Sequence, residues 1–341
     1  MLDRRTLICG TMAVAALAAV GAAPALAADQ ALIDAATKEG SVNWYTSLIQ
    51  DQAARPLARA FEEKYPGISV EIIAGKSADL LLKINDELAA GRLHADVHHG
   101  GSVVPKLLAM DAIQPYVPPS AANLPDDMKD PDGYWVAEVV SFLVPAYNTD
   151  MVPAEEAPKT YEDLLDPKWK GAIAWAATMT QGGPPGFIGT VLGLMGQEKG
   201  MEYLRKLSEQ NIVNVPANQR VTLDQVIAGE YPLALSTFSH HTDISQEDGA
   251  PVQWIALQPK VTNTIDSTFL MKGAPHPNAG KLFIDFIVSD AGQKVLADAG
   301  YIPANPKFRN PERSPEAFAL TPSLVAAHLN DWVAIYDELF K

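Results

Sequence analysis

Five of the seven histidines fall in two short stretches, "HADVHH" at 94–99 and "HH" within "SHHTD" at 239–243. Imidazole can donate to an anionic oxygen, change charge near neutrality, or ligate a transition metal. The spacing His94-x-Asp96-x-His98 suits zinc or nickel by ligand type. Three side chains projecting one way from a flat strand cannot surround an ion, however. His94 and Asp96 are therefore read as structural, and His98 or His99, nearer the strand end, as the residue that reaches a cleft. His240 and His241 stay open to an anion or to a soft metal.

The second chemistry-bearing set is made of hydroxyls in loops: Thr46 and Ser47, Ser77 after Lys76, Ser102 after Gly101, Thr178 and Thr180, and Ser239. A helix start with free backbone N–H groups favours negative charge, and a hydroxyl beside it adds a donor. Ser77 and Ser102 also read simply as N-caps. Trp44 and Tyr45 alternate along a strand, so one is expected in the core and the other, taken as Tyr45, toward the cleft. The expected ligand set is Tyr45, Thr46, Ser47, Ser77, Gly101, Ser102, Thr178, Thr180, Ser239, His240 and His241. No G-x-S-x-G elbow, H-E-x-x-H, P-loop or dinucleotide fingerprint is present, and no catalytic residue, metal ligand or cofactor is assigned.

The elements that must position these residues alternate short β-type runs with helical periods, which argues for α/β architecture. "SVNWYTS" reads as a strand and is followed by Leu57, Phe61 and Tyr65 on one helix face, stopped by Pro66-Gly67. "ISVEIIAG" precedes a helix carrying Leu81, Ile84 and Leu88, and "ADVHH" precedes another. Three such units place the loops containing Thr46-Ser47, Lys76-Ser77 and Gly101-Ser102 at one edge of a mostly parallel sheet. The long apolar run "YWVAEVVSFLVPAYN" reads as a strand passing between lobes. A second series follows: strand "KGAIAWAAT", the loop "TMTQGGPPG", two helices with Thr222 and Gly229 bounding the second, and strand "YPLALSTF" ahead of His240-His241. The helical stretch "NAGKLFIDFIVSDAGQKVLADAG" has Asn278 and Ser289 as caps and Gly300 as its stop.

At the scale of the whole chain, residues 1–27 read as a signal peptide: Arg4-Arg5, an alanine-rich apolar run and Ala25-Leu26-Ala27, so export to a periplasm is expected. The single cysteine, Cys9, lies in that leader, so stability must come from a hydrophobic core. Removing Arg4, Arg5 and Asp3 with the leader takes 26 basic and 41 acidic residues to 24 and 40, a formal charge of −16. That charge disfavours nucleic acid and anionic membranes as partners, without limiting what a small pocket binds.

Taken in order, "VNWYTSL", "LARAFEEKYPGISVEIIAGKSADLLLKI", "HADV", "VPAYNTDMV", "TYEDLLDPKWKGAIAW", "VIAGEYPLAL" and "GAPHPNAGKLFIDFIVSDAGQKVLADAGYIPANP" resemble the periplasmic solute-binding proteins of ABC importers. The similar group contains ferric-ion, organophosphonate, sugar-phosphate and thiamine binders. The resemblance implies a type II two-lobed architecture: two mostly parallel sheets with flanking helices, hinged by crossing strands. It implies lobe 1 at 28–140 plus 262–305, lobe 2 at 141–261 plus 306–341, a monomer, and a membrane permease as partner. The tyrosines with which ferric members of that group hold iron are missing at "SHHTD" and "TMTQGGPPG". The expected ligand is therefore a small anionic organic solute, such as an organophosphonate, sugar phosphate or carboxylate. The alternatives are a metal-ion carrier using the histidines and, from another class, a periplasmic hydrolase.

Overall fold

A computed structural model describes residues 29–341; the expected leader at 1–27 and its junction at Ala28 lie outside the described residues. Twelve strands are present there: β1 (Ser41–Thr46), β2 (Ser69–Ala74), β3 (Val97–His99), β4 (Ile113–Gln114), β5 (Val136–Asn148), β6 (Ile173–Ala176), β7 (Val213–Val215), β8 (Leu233–Phe238), β9 (Val252–Trp254), β10 (Val261–Met271), β11 (Ile302–Pro303) and β12 (Ala317–Leu320). Along the main path their order is β2-β1-β3-β10-β5-β8-β6-β7. One end, β2-β1-β3, is parallel, and so is the other, β8-β6-β7. The α/β expectation with crossing strands is met. The two sheets run into one another as a single hydrogen-bonded network, because β5 and β10 are long enough to pair at both their ends.

Packing follows from the apolar periods. In the helix Arg55–Lys64, Leu57 and Phe61 are fully buried, and the chain leaves the helix at Tyr65 before Gly67 takes φ +100°. Trp44 of β1 and Phe61 both meet Phe283 edge-on at 5.0 Å between ring centres, an arrangement aromatic quadrupoles favour. The helices Pro277–Val288 and Asp290–Asp298 continue this core, with Ser289 capping the second and Gly300 at φ +82° beyond its end, as expected. A C-terminal helix, Pro322–Leu339, packs on helix Pro184–Met195. Nothing in the sequence reading anticipated it.

Several expected caps differ. Lys76 occupies the cap of helix Ser77–Ala89, so Ser77 is its first residue and its hydroxyl makes no capping bond. Ser102 lies within a short 3₁₀ turn, Gly101–Val103. Asn218 caps helix Gln219–Ile227 by accepting from the Val221 N–H at 3.1 Å, which leaves Thr222 inside it. Asn278 donates to Glu39 at 2.6 Å instead of capping, so that the Glu39 carboxylate serves the helix start.

The crossing strands carry two irregularities that matter for the site. Asp266 pairs with Val139 but Ser267 pairs with Ala137, so Glu138 is an extra residue on β5. On β8, Leu235 and Ser236 stand opposite the single residue Pro145, and Ser236 takes the left-handed region at φ +56°. A proline offers no N–H to its neighbour, so the ladder cannot continue regularly there. Bulges of this kind turn the following side chains and favour site-lining positions.

Candidate functional site

Loops at the strand ends gather the expected polar residues into two clusters. The first lies beyond β1, β2 and β3. A Cβ placed on Gly100 would lie 3.3 Å from the Ser77 hydroxyl, and one on Gly101 would lie 2.0 Å from the Ile265 carbonyl oxygen of β10. The "GG" of the sequence therefore lets this turn press against the crossing strand. Ser47 and Ser102 are exposed and Ser77 is half-buried; no hydrogen bond among the described residues engages their hydroxyls.

Three expected members of this cluster do other work. Tyr45 is buried and donates its hydroxyl to Glu87 at 2.5 Å, under helix Ser77–Ala89, so it does not join the loop hydroxyls. Trp44 and Tyr45 both end in packed interior, because a helix layer covers each face of the strand. Thr46 is also buried and accepts from the Leu48 N–H at 3.1 Å, which shapes the loop from within. The Gly101 N–H is already given to the Asp266 carboxylate at 3.2 Å.

The residues of "HADVHH" differ in burial and in partners. Asp96 accepts from the backbone N–H of Asn43 and of His276 and pairs with the His276 ring at 2.9 Å. His94 is exposed. His98 is fully buried, stacks on Phe269 at 5.2 Å, and has no hydrogen bond at either ring nitrogen. Burial, with the neighbouring His99 adding repulsion, pushes its pKa down to about 3, so it stays neutral. His99 pairs with Glu138 at 2.9 Å, both buried. Burial alone would lower the His99 pKa, but the charge and hydrogen bond of Glu138, with the Asp266 charge, outweigh it and hold it above the ordinary value. Neither His98 nor His99 reaches solvent. Asp266, Glu138 and Tyr301, which accepts from the Ile49 N–H at 3.1 Å, are polar residues of this region that the sequence reading missed.

The second cluster lies beyond β6, β7 and β8. The Gln219 side chain donates to the Thr178 hydroxyl at 3.1 Å and to the Gly182 carbonyl at 2.6 Å, tying the loop after β6 to the helix after β7. Thr180 is exposed and accepts from the Gly182 N–H at 3.3 Å. Gly183 folds so close to Thr178 that a Cβ would lie 2.0 Å from its carbonyl oxygen. The Phe238 ring reaches the same loop and meets His240 at 5.5 Å and His241 at 5.4 Å between ring centres, while the two imidazoles are 4.3 Å apart. Ser239, His240 and His241 open the helix Ser239–Glu247.

Electrostatics separate the two clusters. Burial, and then His241, push the His240 pKa down to about 4; burial and the Arg220 guanidinium lower that of His241. Both rings are therefore neutral near pH 7, each with one donor and one acceptor nitrogen. The Ser239 hydroxyl and His241 Nδ1 are buried without a hydrogen-bond partner. The first cluster carries the Asp266 carboxylate, whereas Arg220 stands beside the second and is held by Ser245 at 3.0 Å and Asp224 at 2.8 Å. No group of three or more metal-ligating His, Cys, Asp or Glu side chains is assembled among the described residues.

Comparison with known proteins bears on the family and the fold. Residues 56–322 match the family described as bacterial extracellular solute-binding protein. Iron uptake protein A1 of Synechocystis is 24% identical over 287 residues, covering 80% of this chain and 78% of the relative. Among solved structures, a Trichodesmium IdiA (FutA) in complex with iron and citrate superposes with a TM-score of 0.75 at 21% identity, covering 89% of this chain and 100% of the other. AfuA of Actinobacillus pleuropneumoniae, with fructose-6-phosphate bound, gives 0.62 at 23% identity, covering 88% and 98%. These likenesses show a shared fold.

Proposed function

The chain belongs to the bacterial extracellular solute-binding proteins, and on that footing we propose that it captures a small anionic organic solute in the periplasm for a membrane permease of an ABC importer. The observation that carries this reading is the pair of buried, unpartnered polar atoms at the start of helix Ser239–Glu247, Ser239 Oγ and His241 Nδ1. Buried polar groups are ordinarily paired, so two orphans beside loop hydroxyls and a guanidinium fit a site completed by its ligand. Thr180, Ser239, His240 and His241 would hold the acidic group from one half, with Arg220 adding charge. Ser47, Ser77 and Ser102 would meet it from the other. The halves are taken as residues 28–140 plus 262–305 and residues 141–261 plus 306–341, closing about β5 and β10 as a hinge. An organophosphonate, sugar phosphate or carboxylate fits this donor set, and no catalytic step is assigned.

A second reading, carriage of a metal ion, is favoured by the neutral state of His240 and His241, since neutral imidazole is the ligating form. Several of the relatives and solved structures are associated by name with iron. The stretches at 178–186 and 239–243 contain no tyrosine, so hard ferric iron lacks phenolate ligands there.

A thermal-shift panel tests the choice. A solute at a hundredfold over its Kd should add about 2.7 kcal/mol of stability, a shift of a few degrees for a chain of this size. Phosphorylated, phosphonate or carboxylate solutes should stabilise the protein. Stabilisation by zinc or nickel alone would replace the anion reading, and turnover of any solute would favour a hydrolase.

A further inference from the structure

A polar cavity lies away from these loops. It has a volume of about 410 Å³, and its lining includes Phe142 of β5, Lys260 and Asn263 around the start of β10, Arg309, and the carboxylates of Asp127 and Glu316. Asn263 and Phe142 are register partners, so they share one face of the crossing strands. Ser141, Thr264 and Asp266 alternate onto the opposite face and are the partly exposed ones. Asp266 is tied to the Gly101 turn, so the face toward the candidate site and the face toward this cavity are opposite sides of the same strands.

Two features of the cavity are chemically incomplete. Asn263 is only 3% exposed, yet its Oδ1 has no hydrogen-bond partner. Arg309 is half-buried and makes no ion pair among the described residues. Its Nε donates to the Pro303 carbonyl at 2.6 Å and its Nη2 to the Ala304 carbonyl at 2.5 Å. Those two bonds fix the plane of the guanidinium and leave Nη1 unengaged. Desolvation pulls the Arg309 pKa down to about 10, the signature of a cation removed from water without a close counter-charge. The charge of Asp127, in the same lining, offsets part of this without a hydrogen bond to the guanidinium.

We propose that this cavity behind the crossing strands is a second ligand site, which takes a small hydroxycarboxylate. The carboxylate completes the Arg309 guanidinium, whose geometry suits paired N–H···O bonds, and the ligand's hydroxyl donates to Asn263 Oδ1. Lys260, exposed at the edge, adds attraction.

The test is calorimetric titration of the full protein with sodium lactate, using acetate and chloride as controls at matched ionic strength. A saturable lactate component that depends on Arg309 is expected, with acetate weaker there because it lacks the donor to Asn263. Arg309→Gln should weaken lactate at least about tenfold. Asn263→Leu should erase the preference for lactate over acetate, and it keeps the measurement decisive if the arginine variant does not fold. Because carboxylates could also enter the site at His240 and His241, the component of lactate binding that Arg309→Gln and Asn263→Leu remove is assigned to the cavity, and the double variant H240A/H241A, titrated in parallel, assigns any component that those variants leave. Absence of saturable binding, or unchanged binding in both cavity variants, would overturn the proposal.

Discussion

At the scale of single residues, the decisive property is that His240 and His241 are neutral without a ligand. An anion beside them would raise their proton affinity, so binding should take up protons. The sign is fixed by the direction of the shift. The free-protein pKa of His240 is near 4 and the bound one higher, so affinity for an anionic solute should rise as pH falls from 7.5 to 5.5. Calorimetry in buffers of different ionisation enthalpy would detect the uptake. A metal would behave oppositely, showing little change over that range and weakening only as acid begins to compete for the imidazoles. The position of this pair just beyond β8 was legible in the sequence, because the apolar run of the strand stops before it. The fate of "HADVHH" was only partly legible. Asp96 was rightly taken as structural, but whether His98 and His99 face solvent depends on Phe269 and Glu138, 171 and 39 positions away, which no local pattern encodes.

At the scale of elements, loop shape depends on how closely the turns approach the crossing strands. Gly101 has its N–H on Asp266 and no room for a side chain against Ile265. Gly101→Ala should therefore destabilise the protein by about 1–3 kcal/mol, the usual range for forcing atoms into packed space, read as a lower denaturant midpoint at unchanged slope. An unchanged midpoint would mean that the turn does not bear on β10. The first three strand-loop-helix units were legible because each strand ends in a glycine or hydroxyl loop ahead of a helical period, whereas the order of the strands in the sheet was not. The bulges were not, although one signal existed. Glu138 interrupts an otherwise apolar run, and a carboxylate in such a strand demands a partner; His99 supplies it. The real caps, Lys76 and Asn218, differ from the expected Ser77 and Thr222 because the helices begin at neighbouring residues. Cap residues alone do not resolve that difference.

At the scale of the molecule, β5 and β10 join two parallel half-sheets whose loops carry complementary polarity. One has free hydroxyls and a carboxylate; the other has neutral imidazoles, a guanidinium and two orphaned polar atoms. The α/β class and the passage of β5 through the middle of the sheet follow from its length and apolar character. The contribution of the last 36 residues, 306–341, to that framework was less visible. The strand β12 and the helix Pro322–Leu339 announce themselves by contacts with β10 and helix Pro184–Met195 rather than by local pattern. The central claim is that both clusters hold one ligand. It is tested most directly by measuring the affinity of a solute that stabilises the protein, in Ser77→Ala, in His241→Ala and in the double variant. The account predicts that each single change weakens binding by about tenfold while folding stays intact, and that the two changes are not additive because they share a ligand. Full affinity in either single variant would contradict it.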